Sequence, residues 1–209
     1  SIHYSDPMQT FSIKNRRDRT IIGNLDIVPD QRGLAFMLHG VGGFKEQPHL
    51  RVMAQSFSEH GYTVVNFDST NGFGESDGGL ETLSATGNYE DLGDVIAWAG
   101  TQSWYAEPFV LAGFSLGSLC MALYAEKHPE KVKALAPIST VVSGKLLLTS
   151  PDMRKVRGMW EETKWFISDS RSRPGAIKKI PWSFVIDVQK YDLLPKAHLL
   201  TMPVLMAVG

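Results

Sequence analysis

The chain has a single cysteine, Cys120, in 209 residues. No disulfide can form within it, and a multi-cysteine zinc site is excluded. Apolar runs are short: Leu34–Leu38 and Leu146–Leu148 fall far below the ~20 residues that span a bilayer. Neither charge dominates, with 21 Lys+Arg against 22 Asp+Glu and a net charge of -1, so there is no general attraction for nucleic acid or an anionic membrane. The opening stretch Ser1–Pro7 has no basic region followed by an apolar one, so no signal peptide is read. The histidines lack metal-ligand spacing. Phosphate-loop and dinucleotide glycine patterns are missing too: Gly72-Phe73-Gly74 lacks the third glycine and the helix after it. No metal and no organic cofactor is implied.

What is present is enough for one domain or a small pair with a real core: 43% apolar and 21% charged residues. Thr10–Lys14 alternates polar and apolar as a half-buried strand does, and Thr20–Val28 reads as its hairpin partner across a turn at Asn15 to Asp18. Gly33–Leu38 is continuously apolar, the pattern of a strand covered on both faces. Helices are expected over His49–His60, Asn88–Gly100 and Leu116–His128, and buried strands over Tyr62–Phe67, Pro108–Gly113 and Val132–Ile138. Short apolar strands alternating with helices imply βαβ units, hence an α/β fold with a mostly parallel sheet and helices on both faces. Pro203–Gly209 reads as a further buried strand. The charge is unevenly spread. Residues 141–180 carry nine Lys+Arg and four Asp+Glu, whereas residues 66–107 carry eight acids and no Lys or Arg. Solvated surface accounts for both runs.

Gly113-Phe114-Ser115-Leu116-Gly117 is a G-x-S-x-G pattern, and Gly74-Glu75-Ser76-Asp77-Gly78 is another. Context separates them. Ser115 stands directly between an apolar strand and an apolar helix, the strand–turn–helix setting that holds a nucleophilic serine on a strained turn. Ser76 falls in a glycine-rich loop and reads as structural. The helix N-terminus behind Ser115 favours negative charge developing in front of it. His39-Gly40-Val41-Gly42-Gly43 ends the first buried strand. The N–H of Val41, after the glycine that lets the chain turn, could face the N–H of Leu116 and form an oxyanion hole. The alternative is a βα loop without chemistry. His39 reads as a residue that orients this loop. Cys120 reads as packing, and Glu90, Asp91 and Asp94 as helix-capping, solvated acids.

Taken together, His39-Gly40-Val41-Gly42, Phe67-Asp68 with Gly72–Ser76, Gly113–Gly117, His128-Pro129-Glu130-Lys131-Val132 and Pro203–Gly209 resemble an α/β-hydrolase. The closer resemblance is to the short-lid esterases and serine aminopeptidase-type hydrolases, cinnamoyl esterases among them. It implies a cytoplasmic serine hydrolase that cleaves a small-molecule carboxylic ester through an acyl-enzyme. A peptidase or amidase on the same machinery is one alternative, and a non-catalytic binding protein of the same fold is another. Ser115 is then the nucleophile, with Val41 and Leu116 holding the oxyanion.

The family order of the triad is Ser, acid, His. The acid is expected after the strand at Pro203–Gly209 and the histidine beyond it, so neither is mapped here, and the chain is expected to be part of a longer enzyme. His128, His198, Asp152, Asp187 and Asp192 are weak substitutes. Three regions follow: a hydrolase core over 1–140, a lid over 141–190, and a return to the core over 191–209. Met153, Met159, Trp160, Trp165, Phe166, Trp182 and Phe184 of the lid could line an acyl pocket or pack its own core. Its Arg154, Lys155, Arg157, Arg171, Arg173, Lys178 and Lys179 could attract an anionic substrate or surface.

Overall fold

The structure, a computed structural model, describes residues 8–208. Ser1–Pro7, the stretch read for a signal peptide, and Gly209, the end of the expected last strand, lie outside the described residues. Strands β1 (Gln9–Lys14), β2 (Thr20–Asp26), β3 (Gly33–Leu38), β4 (Tyr62–Phe67), β5 (Phe109–Phe114) and β6 (Val132–Ile138) form one sheet in the order β1-β2-β4-β3-β5-β6. The β1–β2 hairpin and the β2–β4 pair are antiparallel. From β4 through β3 and β5 to β6 the sheet is parallel. Every residue of β3 is buried, as its unbroken apolar run and central place require.

Helix α1 (Pro48–Glu59) covers one face, where Leu50, Met53, Ala54 and Phe57 pack on Met37, Val64 and Ala112. Helices α2 (Ala85–Ala99) and α3 (Leu116–Lys127) cover the other, against Phe36, Leu38, Val65 and Leu111. Successive residues of the parallel strands therefore serve opposite cores. After β6 comes an insertion: α4 (Gly144–Leu147), α5 (Pro151–Thr163), the antiparallel hairpin β7 (Trp165–Asp169)–β8 (Ile177–Pro181), and α6 (Trp182–Val188). Among the described residues no helix is long and apolar enough to cross a membrane.

Several expectations need correction. Helix α2 begins at Ala85, three residues earlier than read, because Ser84 is its N-cap and accepts from the Gly87 N–H. Glu90, Asp91 and Asp94 therefore lie beyond the first turn and do not serve the dipole. Glu90 pairs with Arg17, Asp94 pairs with Arg16 at 2.7 Å, and Asp91 is fully buried. β2 stops at Asp26 rather than Val28. The stretch from Pro203 does run beside β6 as a parallel partner, with the Leu205 N–H donating to Leu135 O at 2.9 Å and the Ser139 N–H to Ala207 O at 2.7 Å. It is not buried, though: Leu205 is 71% exposed and Val208 81%, since described residues cover it only on the β6 side.

Candidate active site

Strand β5 delivers the chain to Ser115, which turns at φ 52°, ψ −114° before α3 begins. For a residue with a Cβ this conformation costs roughly 1–3 kcal/mol. The surroundings hold it there. The Ser115 N–H donates to Ile138 O at 2.9 Å, and its carbonyl accepts from Leu119 N at 3.2 Å. Ser118 Oγ donates to Gly113 O at 2.5 Å and accepts from Ile138 N at 3.0 Å. A Cβ on Gly117 would lie 2.3 Å from Leu38 O, so only glycine lets α3 start this close to β3. The Ser115 side chain makes no capping hydrogen bond to α3 and is half-exposed, so its Oγ is free to face an incoming group. As first residue of the helix, Leu116 presents an N–H with no partner inside it.

The loop after β3 comes against this serine: a Cβ on Gly40 would lie 3.0 Å from Ser115 Cβ. A tight turn follows, closed by the Gly43 N–H on Gly40 O at 3.0 Å, around Val41 and Gly42. His39 organises it as expected. His39 Nε2 accepts from the Ser69 N–H at 3.0 Å, which places the ring proton on Nδ1, and Nδ1 donates to Gly40 O at 2.8 Å. Burial pushes the His39 pKa down, so the ring stays neutral.

Behind the loop lies a cluster that the sequence did not disclose. The side chains of Lys45 and Asp68 are both 0% exposed and pair at 3.1 Å. Asp68 also accepts from the backbone N–H of Lys45 at 2.6 Å and of Glu75 at 2.9 Å. Lys45 reaches Glu46 at 3.1 Å and Glu75 as well. Burial disfavours the ammonium, but Glu75, Asp68 and Glu46 outweigh it and raise the Lys45 pKa. The pair ties the loop after β3 to the loop after β4. A lone lysine past a glycine turn reads as surface, and the only signal was that an Asp closes the neighbouring strand. Ser76 belongs to the same scaffold: its Oγ donates to Asp68 O at 2.7 Å and accepts from Ile22 N at 2.8 Å.

The remaining candidates lie apart from Ser115. His128 caps the far end of α3 and packs on Tyr124, ring centroids 4.6 Å apart and tilted by 41°. His198 sits in an exposed 3-10 turn. Asp152 is exposed and pairs with Lys155 at 3.1 Å. Asp187 accepts from Thr86 N at 2.8 Å and pairs with Lys190 at 2.9 Å, docking α6 on α2. Asp192 accepts from Leu194 N at 3.0 Å. Cys120 is buried, which pushes its thiol pKa up. The structure thus brings Ser115, the Val41 turn and Leu116 together, and brings none of these acids or histidines to the serine.

The hairpin of the insertion reaches the same loops. Ser172 Oγ donates to Gly42 O at 2.5 Å, and an Arg173 guanidinium N–H donates to Phe73 O at 2.6 Å. Of the insertion's large apolar residues, Trp160 and Phe184 are buried in the core, Met153, Phe166 and Trp182 pack against it, and Met159 points to solvent. Most of them therefore join the insertion to the core of the body. A cleft of about 610 Å³, bordered by Asn24, Asp26, Arg51 and Asn66, lies between α1 and β2–β4, away from Ser115.

This strand order, with a strained serine at the β5–α3 turn, is that of a hydrolase body, and comparison with known families agrees. A family model described as the alpha/beta hydrolase fold matches residues 36–164. The chain belongs to that family. Comparison with curated sequences finds no match. Among solved structures it is similar to Est1E from Butyrivibrio proteoclasticus with ferulic acid bound, at TM-score 0.77 and 20% identity over 94% of this chain and 77% of that one. It is also similar to the esterase domain of a Rhodothermus marinus protein, at TM-score 0.64 and 20% identity over 97% and 76%. Mouse alpha/beta hydrolase domain-containing protein 10 gives TM-score 0.71 and 16% identity over 96% and 88%.

Proposed function

We propose that this chain carries the nucleophile and oxyanion hole of a serine hydrolase acting on small carboxylic esters. The observation that carries the reading is the strained turn at Ser115 (φ 52°) pressed against Gly40. Ser115 Oγ attacks the ester carbonyl carbon and gives its proton to a base. The carbonyl oxygen becomes an oxyanion, held by the N–H groups of Val41 and Leu116 at about 3–4 kcal/mol per donor. The C–O bond to the alcohol breaks, and the alcohol leaves with the proton. Water then cleaves the acyl-serine and releases the acid. The insertion serves as a lid through its hairpin contacts to Gly42 and Phe73.

Serine needs an adjacent base to be a useful nucleophile, and no histidine among the described residues is hydrogen-bonded to Ser115, although His49 packs on its neighbour Phe114 with ring centroids 4.6 Å apart. That observation favours a second reading, a non-catalytic protein of the same fold that binds a ligand. A fluorophosphonate probe separates the two. Labelling that disappears in Ser115→Ala supports the hydrolase, whereas a folded, unlabelled protein that still binds esters supports the binding protein. If acyl amides turn over faster than matched esters, the peptidase reading replaces the esterase.

A further inference from the structure

Strand β8 turns one face inward: Ile180 is buried, and Lys178, two residues before it, projects on the same side. That face meets the turn after β3. A Cβ on Gly42 would lie 2.9 Å from Lys178 Cε and 3.6 Å from its Cδ, with Phe73 on the other side at 3.5 Å. The stem of Lys178 is thus laid along the turn that carries Val41, which is itself pressed on Ser115 through Gly40. Gly42, at φ 64°, leaves the space the stem occupies.

The ammonium at the end of this stem has no carboxylate partner among the described residues. The acids of the adjoining loops are engaged elsewhere: Glu46, Asp68 and Glu75 by Lys45, and Asp77 by the Thr20 N–H. Asp169, at the end of β7, is exposed and stands in register with Ile177 rather than Lys178. Burial and the neighbouring Arg171 lower the Lys178 pKa, with no acid opposing them. Lys179, by contrast, lies over the Trp165 ring at 4.5 Å. A half-buried, unpaired cation whose stem lies on the turn next to Ser115 gains most from an anion that arrives with a ligand.

We propose that Lys178 is an anion subsite of this centre, and that the preferred ligand is an ester carrying a free carboxylate a few bonds from its scissile carbonyl. The subsite rests on reading Ser115 as the reacting residue, so its test is made independent of turnover. In the Ser115→Ala chain, calorimetry compares monoethyl adipate with the ethyl ester of adipamic acid, an uncharged counterpart of nearly the same shape. The acid ester is expected to bind about tenfold more tightly, the size of one charge-assisted hydrogen bond net of desolvation. In Lys178→Met the ratio is expected to fall to about one, and Lys178→Arg is expected to keep most of it. Melting curves establish that each variant is folded. Equal binding of the two esters, no detectable binding of either, or a ratio that survives Lys178→Met overturns the subsite. Loss of probe labelling at Ser115 in the wild-type chain bears on the acyl-transfer reading alone.

Discussion

A Cβ on Gly117 would stand 2.3 Å from the carbonyl oxygen of Leu38 and 2.5 Å from that of His39. Both neighbours are backbone of the central strand and its exit, so neither can swing aside as a flexible side chain would. Gly117→Ala is therefore expected to destabilise the fold by about 1–3 kcal/mol, as overpacking does. Gly158→Ala, in α5 with nothing within 4 Å, should instead stabilise it by about 1 kcal/mol. Urea denaturation of the two variants checks the contrast in sign.

Ser115 sits where glycine would be more comfortable. Ser115→Gly is expected to raise stability by on the order of 1 kcal/mol, because the strained turn no longer carries a Cβ, while abolishing fluorophosphonate labelling. A gain in melting temperature together with lost labelling would show strain held at the reacting residue. A drop in melting temperature would count against it.

The Lys45–Asp68 pair gives a double-mutant test. Removing one partner leaves the other charge buried, at about 3–5 kcal/mol. Lys45→Met is expected to lose that much, Asp68→Asn less because Lys45 keeps Glu46 and Glu75, and the double variant less than the sum of the two. Additive losses, measured by denaturation, would mean the two side chains stabilise the loops independently.

Glu126, on α3, is 6% exposed, and its Oε1 has no partner among the described residues. Burial raises its pKa; Lys196 opposes and Asp192 adds to the shift, which pushes it up to about 7. Below the unfolded value near 4.5 both states hold the proton. Between there and about 7 the unfolded chain releases it first, so this group lowers stability as pH rises through that window, and its effect is constant above it. Glu126→Gln should match wild type near pH 4 and be more stable by on the order of 1 kcal/mol at pH 8. Melting curves across that range read the difference.

Much of this architecture was legible in the order of residues. The unbroken apolar run of Gly33–Leu38 announced a central strand, and the setting of Ser115 between strand and helix separated it from Ser76. The errors have physical reasons. Asp91 looks like any helix acid, yet the β1–β2 turn and the loop after β4 bring Asn15 and Thr70 to it, at 2.8 and 2.7 Å. Those contacts join residues 76 and 21 positions apart, which no local pattern records. Pro203–Gly209 was read as buried because its composition is that of an inner strand, and composition carries no information on how many faces are covered. Lys45 was hidden for a related reason, since lysine is so often solvated that burial shows only once neighbouring loops are in place; Lys178 stood out only as one of seven basic residues of the insertion that could attract an anion.

The way His39 is held has a mechanical consequence. Its two ring nitrogens bond to different segments, one to Gly40 and the other to Ser69. The turn bearing Val41 and the loop bearing Asp68 are thereby riveted through one imidazole, with the Lys45 pair as a second rivet. Neither loop can breathe alone. The turn beside Ser115 thus owes its shape to bonds within the body, and the insertion hairpin adds to them through Ser172 and Arg173.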